Sequence, residues 1–84
     1  MLRVKFVEPK PQYRLLLQFT NGETRVFDMN PYLKYPVFSP LSDINIFNLA
    51  KVDYGTVTWP GEIDIAPETL YEYSDKLKDT NKVG

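Results

Sequence analysis

Asn21-Gly22 stands between two stretches of alternating apolar and polar residues, Tyr13 to Phe19 before it and Thr24 to Asp28 after it. Asparagine and glycine most readily take the positive φ angles of a two-residue type I′ loop, so the pair predicts a tight antiparallel hairpin. That loop sets a register. Phe19 then faces Thr24, Leu17 faces Val26 and Leu15 faces Asp28, which places Leu15, Leu17, Phe19 and Val26 on a common core side. The opposite side carries Arg14, Leu16, Gln18, Arg25 and Phe27.

The same period of two recurs elsewhere. Leu2, Val4 and Phe6 alternate with Arg3 and Lys5, predicting a strand that Pro9 and Pro11 end; if it joins the hairpin, Arg3, Lys5 and Val7 extend the outer face. Ala50, Val52, Val57 and Trp59 alternate around Tyr54-Gly55, a second hairpin pairing Val52 with Val57 and Ala50 with Trp59. Asn30-Pro31 opens one helical turn that Pro36 stops. Ser39-Pro40 opens a short amphipathic helix, about residues 40–48, with Leu41, Ile44 and Phe47 facing inward. Pro60-Gly61 ends a strand, Ile63 to Ile65 is extended, and Ala66-Pro67-Glu68 starts a C-terminal helix with Leu70, Tyr73 or Ser74, and Leu77 as a weak inner stripe. The expected fold is α+β, a mainly antiparallel four- to five-stranded sheet built from two hairpins, with one short central helix and one C-terminal helix. It occupies residues 1–74 as a single domain, and 75–84 are expected to form a frayed tail.

Composition narrows the chemistry. At 84 residues the chain can build one core, and without cysteine it has no disulfide to support it, which fits the cytoplasm better than a secreted domain. Histidine is absent as well, removing the usual neutral-pH general base, Ser-His-Asp triads and ordinary zinc sites. No apolar run approaches the ~20 residues of a membrane span. The expectation is a soluble, non-catalytic protein with no cofactor, no metal and no membrane association. Asp28 and Asp64 are the carboxylates that merit a second reading, each beside apolar residues and ahead of a proline-led turn. Capping of backbone N–H groups is one role for them, and a small carboxylate or metal-dependent enzyme built on the pair is the rival.

Charge is divided unevenly. Residues 1–36 carry six Lys or Arg against three acids, and 37–84 carry four against eight, so the halves hold +3 and −4. In the predicted register Arg3, Lys5, Arg14 and Arg25 surround Val7, Leu16 and Phe27 on the face away from the core, an apolar centre with a basic rim suited to a protein partner or a homodimer. The competing reading covers Leu16 and Phe27 with the C-terminal helix or a loop and leaves the cations solvated. A net charge of −1 and a pI near 5.3 argue against nucleic-acid binding by this chain alone.

Phe19 with Asn21-Gly22-Glu23, Asp28 with Pro31 and Leu33, Phe47, and the series Trp59, Gly61, Ile63, Asp64, Ile65, Pro67, Glu68, Leu70 and Tyr71 together resemble the small bacterial DUF2442 family, a domain of unknown function. The resemblance runs from about Arg3 to Tyr73. It implies a bacterial domain of the kind found alone, or fused to a helix-turn-helix, and often in gene pairs that look like toxin-antitoxin modules. After Tyr73 this chain carries no helix-turn-helix pattern. The function expected is a protein-binding or regulatory module, the antitoxin-like member of such a pair.

Overall fold

A computed structural model describes residues 1–77 of the chain. Seven strands form two antiparallel sheets. The larger has the order β1 (Val4–Lys10), β2 (Arg14–Phe19), β3 (Thr24–Asp28) and β7 (Asp75–Lys76); the smaller is a meander of β4 (Lys51–Asp53), β5 (Thr56–Trp59) and β6 (Ile63–Ile65). Short 3-10 turns at Asn30–Tyr32 and Ser39–Ser42, and the helix α1 (Ile44–Phe47), link the sheets; the helix α2 (Pro67–Glu72) leads into β7. The α+β class, the two hairpins, the short central helix and the C-terminal helix are as the sequence predicts. The strands are divided between two sheets because each hairpin buries one face against the other's, and one buried cluster joins Leu15, Leu17, Phe19 and Phe27 to Val57, Trp59, Ile63 and Ile65.

The first hairpin departs from the expected register by one residue. Its loop is Thr20-Asn21-Gly22, closed by Phe19 N–H to the Glu23 carbonyl at 2.9 Å and Gly22 N–H to the Phe19 carbonyl at 3.0 Å. Only Gly22 of the three has positive φ, at 89°, which makes a three-residue loop with a glycine bulge. Leu15 therefore faces Phe27, Leu16 faces Val26, and Leu17 faces Arg25. Phe27 is fully buried and Val26 turns outward. Burial decides the slip, since an aromatic ring removes more apolar surface from water than a valine.

The first strand also differs. A bulge between Val4 and Phe6 reverses its alternation, so Val4 and Val7 face inward while Phe6 is exposed. Pro9 lies inside β1, which it can do because the strand is an edge and needs no second ladder. The expected helix over 40–48 is broken at Asp43, which has ψ 112° and caps α1 by accepting from Asn45 N–H at 3.0 Å. That break resets the helical phase, leaving Ile44 exposed and turning Ile46 toward the core. Asp75 and Lys76, assigned to the tail by the sequence, pair with Val26 and Arg25. The rest of that assignment, 78–84, lies outside the described residues.

The second hairpin has the expected register, Val52 facing Val57. Its two-residue loop is Tyr54-Gly55, with φ 54° and 76°, the type I′ geometry that Asn21-Gly22 does not adopt. Its φ of 76° is what calls for glycine at Gly55; a Cβ there would also stand 2.6 Å from Arg3 Nη1, the end of an exposed side chain that can move aside. Tyr54 has no such freedom, and the residue is 88% exposed. Replacing Tyr54 with Asn, which tolerates the left-handed region far better, is expected to stabilise the domain by about 0.5–1 kcal/mol and raise Tm by roughly 2–6 °C in thermal denaturation. An unchanged or lower Tm would show that the Tyr54 ring contributes as much as the strain costs.

Candidate functional site

The six residues singled out from the sequence do not form one surface. Phe27 is in the core. Arg25 shares the inner side with Leu17, because the one-residue slip exchanges the two faces of β3. Arg3 sits at the seam between the hairpins, its backbone N–H donating to Thr20 Oγ1 at 3.1 Å and its Nη1 to the Tyr54 carbonyl at 3.4 Å. Lys5 is exposed in the β1 bulge. Arg14 and Leu16 alone remain together on the outward face.

That face is built from three rows in register: Phe6, Gln18 and Thr24; Glu8, Leu16, Val26 and Asp75; Lys10, Arg14 and Asp28. Phe6, Leu16 and Val26 thus make an apolar strip across three strands. Its surroundings are mixed in sign, two cations against three acids, with Lys10 Nζ 3.4 Å from Glu8. The basic rim expected around it is absent, since Arg25 has left the face and Glu8 and Asp75 have joined it.

Arg25 is the centre of a different arrangement. Its Nε donates to Ser74 Oγ, its Nη2 to the Ser74 carbonyl and its Nη1 to Glu23 Oε1, each at 2.7 Å, while the guanidinium lies 4.4 Å from the centre of the Tyr71 ring. The Tyr71 hydroxyl donates to Glu23 Oε2 at 2.8 Å. These bonds, Tyr71 foremost and Arg25 next, hold the Glu23 carboxyl below its ordinary value of 4.5. Every partner lies within the chain, so the cluster acts as a clasp between the first hairpin and α2. Sequence reading missed it because its members are 48 or 49 residues apart.

Asp28 and Asp64 are not brought together. Asp28 accepts from the Asn30 backbone and side-chain amides, both at 2.9 Å, which is the capping role. Asp64 is on β6 in the other sheet, and no group of three His, Cys, Asp or Glu among the described residues is placed to hold a metal ion. Asp64 instead lines an open groove of about 780 Å³ on the outer face of the three-stranded sheet. Lys51, Thr58 and Asp64 form its floor as one cross-strand row, with Asp53 and Tyr54 at one end and Leu49, Pro60 and Glu62 at the other. The signal for it was the polar half of the second hairpin's alternation, Lys51 and Asp53 flanking Val52 and Thr58 next to Val57.

A family model described as a protein of unknown function, DUF2442, matches residues 4–76. The chain belongs to the DUF2442 family. The match begins with the first residue of β1 and ends with the last of β7, so the DUF2442 unit is the complete two-sheet fold, clasp and groove included. The stretch Trp59 to Asp64, which carries much of the sequence resemblance, supplies six of the residues lining the groove. No curated protein and no solved structure matches this DUF2442 chain. No helix among its described residues is long and apolar enough to cross a membrane.

Proposed function

We propose that this DUF2442 protein is a non-catalytic protein-binding or regulatory module that engages its partner through the outward face of the four-stranded sheet. The observation that supports this reading is the Phe6, Leu16 and Val26 strip, an apolar centre on a face otherwise made of charged and polar side chains. Such a composition suits a recognition surface, where a small apolar centre supplies the affinity and the polar rim the orientation. The charge balance of that face, with acids outnumbering cations, favours a protein over a nucleic acid. The biological setting we favour is bacterial and cytoplasmic, with the chain as the antitoxin-like member of a gene pair, bound to the neighbouring gene's product or to a second copy of itself.

Co-expression with the product of the adjacent gene, followed by pull-down and sedimentation, tests the reading. A stoichiometric complex or a homodimer is expected from the wild type, and Leu16→Asp is expected to weaken it by about tenfold or more while shifting Tm by only a few degrees. A monomer that retains no partner, or a complex indifferent to Leu16→Asp, would overturn it.

A further inference from the structure

Asn21 is the one asparagine of the chain whose successor offers an unhindered backbone nitrogen. Asn30 precedes a proline, which has no N–H, and Asn45, Asn48 and Asn81 precede the bulkier Ile46, Leu49 and Lys82. An Asn-Gly pair is chemically labile in water. The glycine nitrogen attacks the side-chain carbonyl carbon, a C–N bond forms as the C–Nδ2 bond breaks, and ammonia leaves carrying the glycine's amide proton. Water then opens the succinimide at one carbonyl or the other, giving aspartate or isoaspartate. No oxidant or reductant is needed, and both residues of the pair are exposed to the water that the second step consumes.

The folded loop restrains both reacting groups. Gly22 N–H donates to the Phe19 carbonyl at 3.0 Å, so freeing the nitrogen of its proton requires the loop to open. Asn21 Oδ1 accepts from Glu23 N–H at 3.0 Å, while Nδ2 donates to Glu23 Oε2 at 3.3 Å and to the Tyr71 hydroxyl at 3.4 Å. The amide is thus turned toward α2 and fixed by the same carboxylate and phenol that close the Arg25 clasp. From this geometry we propose that Asn21 is a deamidation site gated by the clasp, which slows the reaction while closed and is loosened by the product. Aspartate at this position keeps an acceptor for Glu23 N–H but sets a second oxygen where Nδ2 stood, against Glu23 Oε2, a like-charge contact. The Arg25 donors are already committed to Glu23 and Ser74. Isoaspartate adds a methylene to the main chain of a three-residue loop whose closure depends on Gly22. Either product makes a transient opening between the hairpin and α2 lasting.

Incubation of the full chain in mildly alkaline buffer, followed by peptide mass mapping and enzymatic labelling of isoaspartate, tests the proposal. Conversion at Asn21 is expected to be about tenfold or more slower in the folded chain than in the same chain unfolded by urea. Tyr71→Phe removes the hydroxyl and keeps the edge-on ring contact with Phe19, whose centre is 5.1 Å away. That variant and Glu23→Ala are expected to speed conversion several-fold, whereas Val57→Ala, in the core of the other sheet, is expected to leave the folded rate unchanged. Asn21→Asp is expected to lower Tm by several degrees, and by less in a Glu23→Gln background, which lacks the second carboxylate. Equal folded and unfolded rates, no acceleration in either clasp variant, or an effect of Val57→Ala as large as theirs would overturn the gating. A Tm unmoved by Asn21→Asp would overturn the loosening of the clasp by its product. Should Glu23→Ala fold poorly, the Tyr71→Phe rate decides alone.

Discussion

Truncating Phe27 to Ala is expected to destabilise the domain by about 3–5 kcal/mol, against about 1 kcal/mol or less for Val26→Ala. Phe27 is fully enclosed, facing Leu15 across the hairpin and stacked on Tyr32 with ring centres 5.3 Å apart, so its removal leaves a cavity as well as lost transfer energy. At roughly 0.05–0.15 kcal/mol per residue a chain of this length has about 4–13 kcal/mol in total, so the variant sits near the edge of folding. The contrast with Val26 is what gives the experiment its force. In a two-residue Asn21-Gly22 loop Val26 faces the core and Phe27 the solvent, and the order of the two costs reverses. Urea midpoints measured on both variants decide between the registers, and Phe27→Leu supplies a smaller loss of the same sign if the alanine variant does not fold. A Val26→Ala cost equal to or above that of Phe27→Ala would show the slip to be wrong.

That slip explains what the sequence could and could not reveal. Asn-Gly is compatible with a two-residue type I′ loop and, with one residue before it, with a three-residue loop ending in a glycine bulge; local preference does not separate them. Burial of one ring against one valine does, and that depends on what the rest of the chain brings to the inner face. The second hairpin was readable because only one register sets Val52 opposite Val57 and Ala50 in line with Trp59, so pattern and turn agree. Asp28 was readable as a cap for the same reason, its partner Asn30 being two residues away.

The candidate surface inherited the register error. Arg25 and Phe27 were exchanged for Val26, and the β1 bulge brought Phe6 outward in place of Val7, so an apolar strip survived with a different membership and without its basic rim. The groove was half visible, as the polar alternation of the second hairpin. The Pro60-Gly61 turn at its end was legible too, but which side chains it brings beside Asp53 and Tyr54 depends on the pairing of β4, β5 and β6.

Arg25→Ala is expected to cost about 2–3 kcal/mol, large for a partly exposed side chain on an interior strand. The Arg25 side chain is 14% exposed and that of Glu23 23%, so each hydrogen bond falls below the full range for a charged group, and the ion pair itself contributes little. The loss comes from taking three donors and the Tyr71 stack away together, leaving the Ser74 carbonyl and hydroxyl to find water. The acid limb of stability distinguishes this clasp from simple packing. Glu23 is held below 4.5 in the folded chain by Tyr71 and then Arg25, so its ionised form favours folding fully above the unfolded value, and that contribution is lost as pH falls through the folded one. In Arg25→Ala one of those two causes is gone while the Tyr71 bond stays. The stability lost between pH 7 and pH 3 is therefore expected to be smaller than in wild type and larger than in Glu23→Gln, where this component vanishes. Urea midpoints at the two pH values measure it. An identical loss in all three proteins would mean that Glu23 does not couple the hairpin to α2, and the Arg25 cost would then be packing alone.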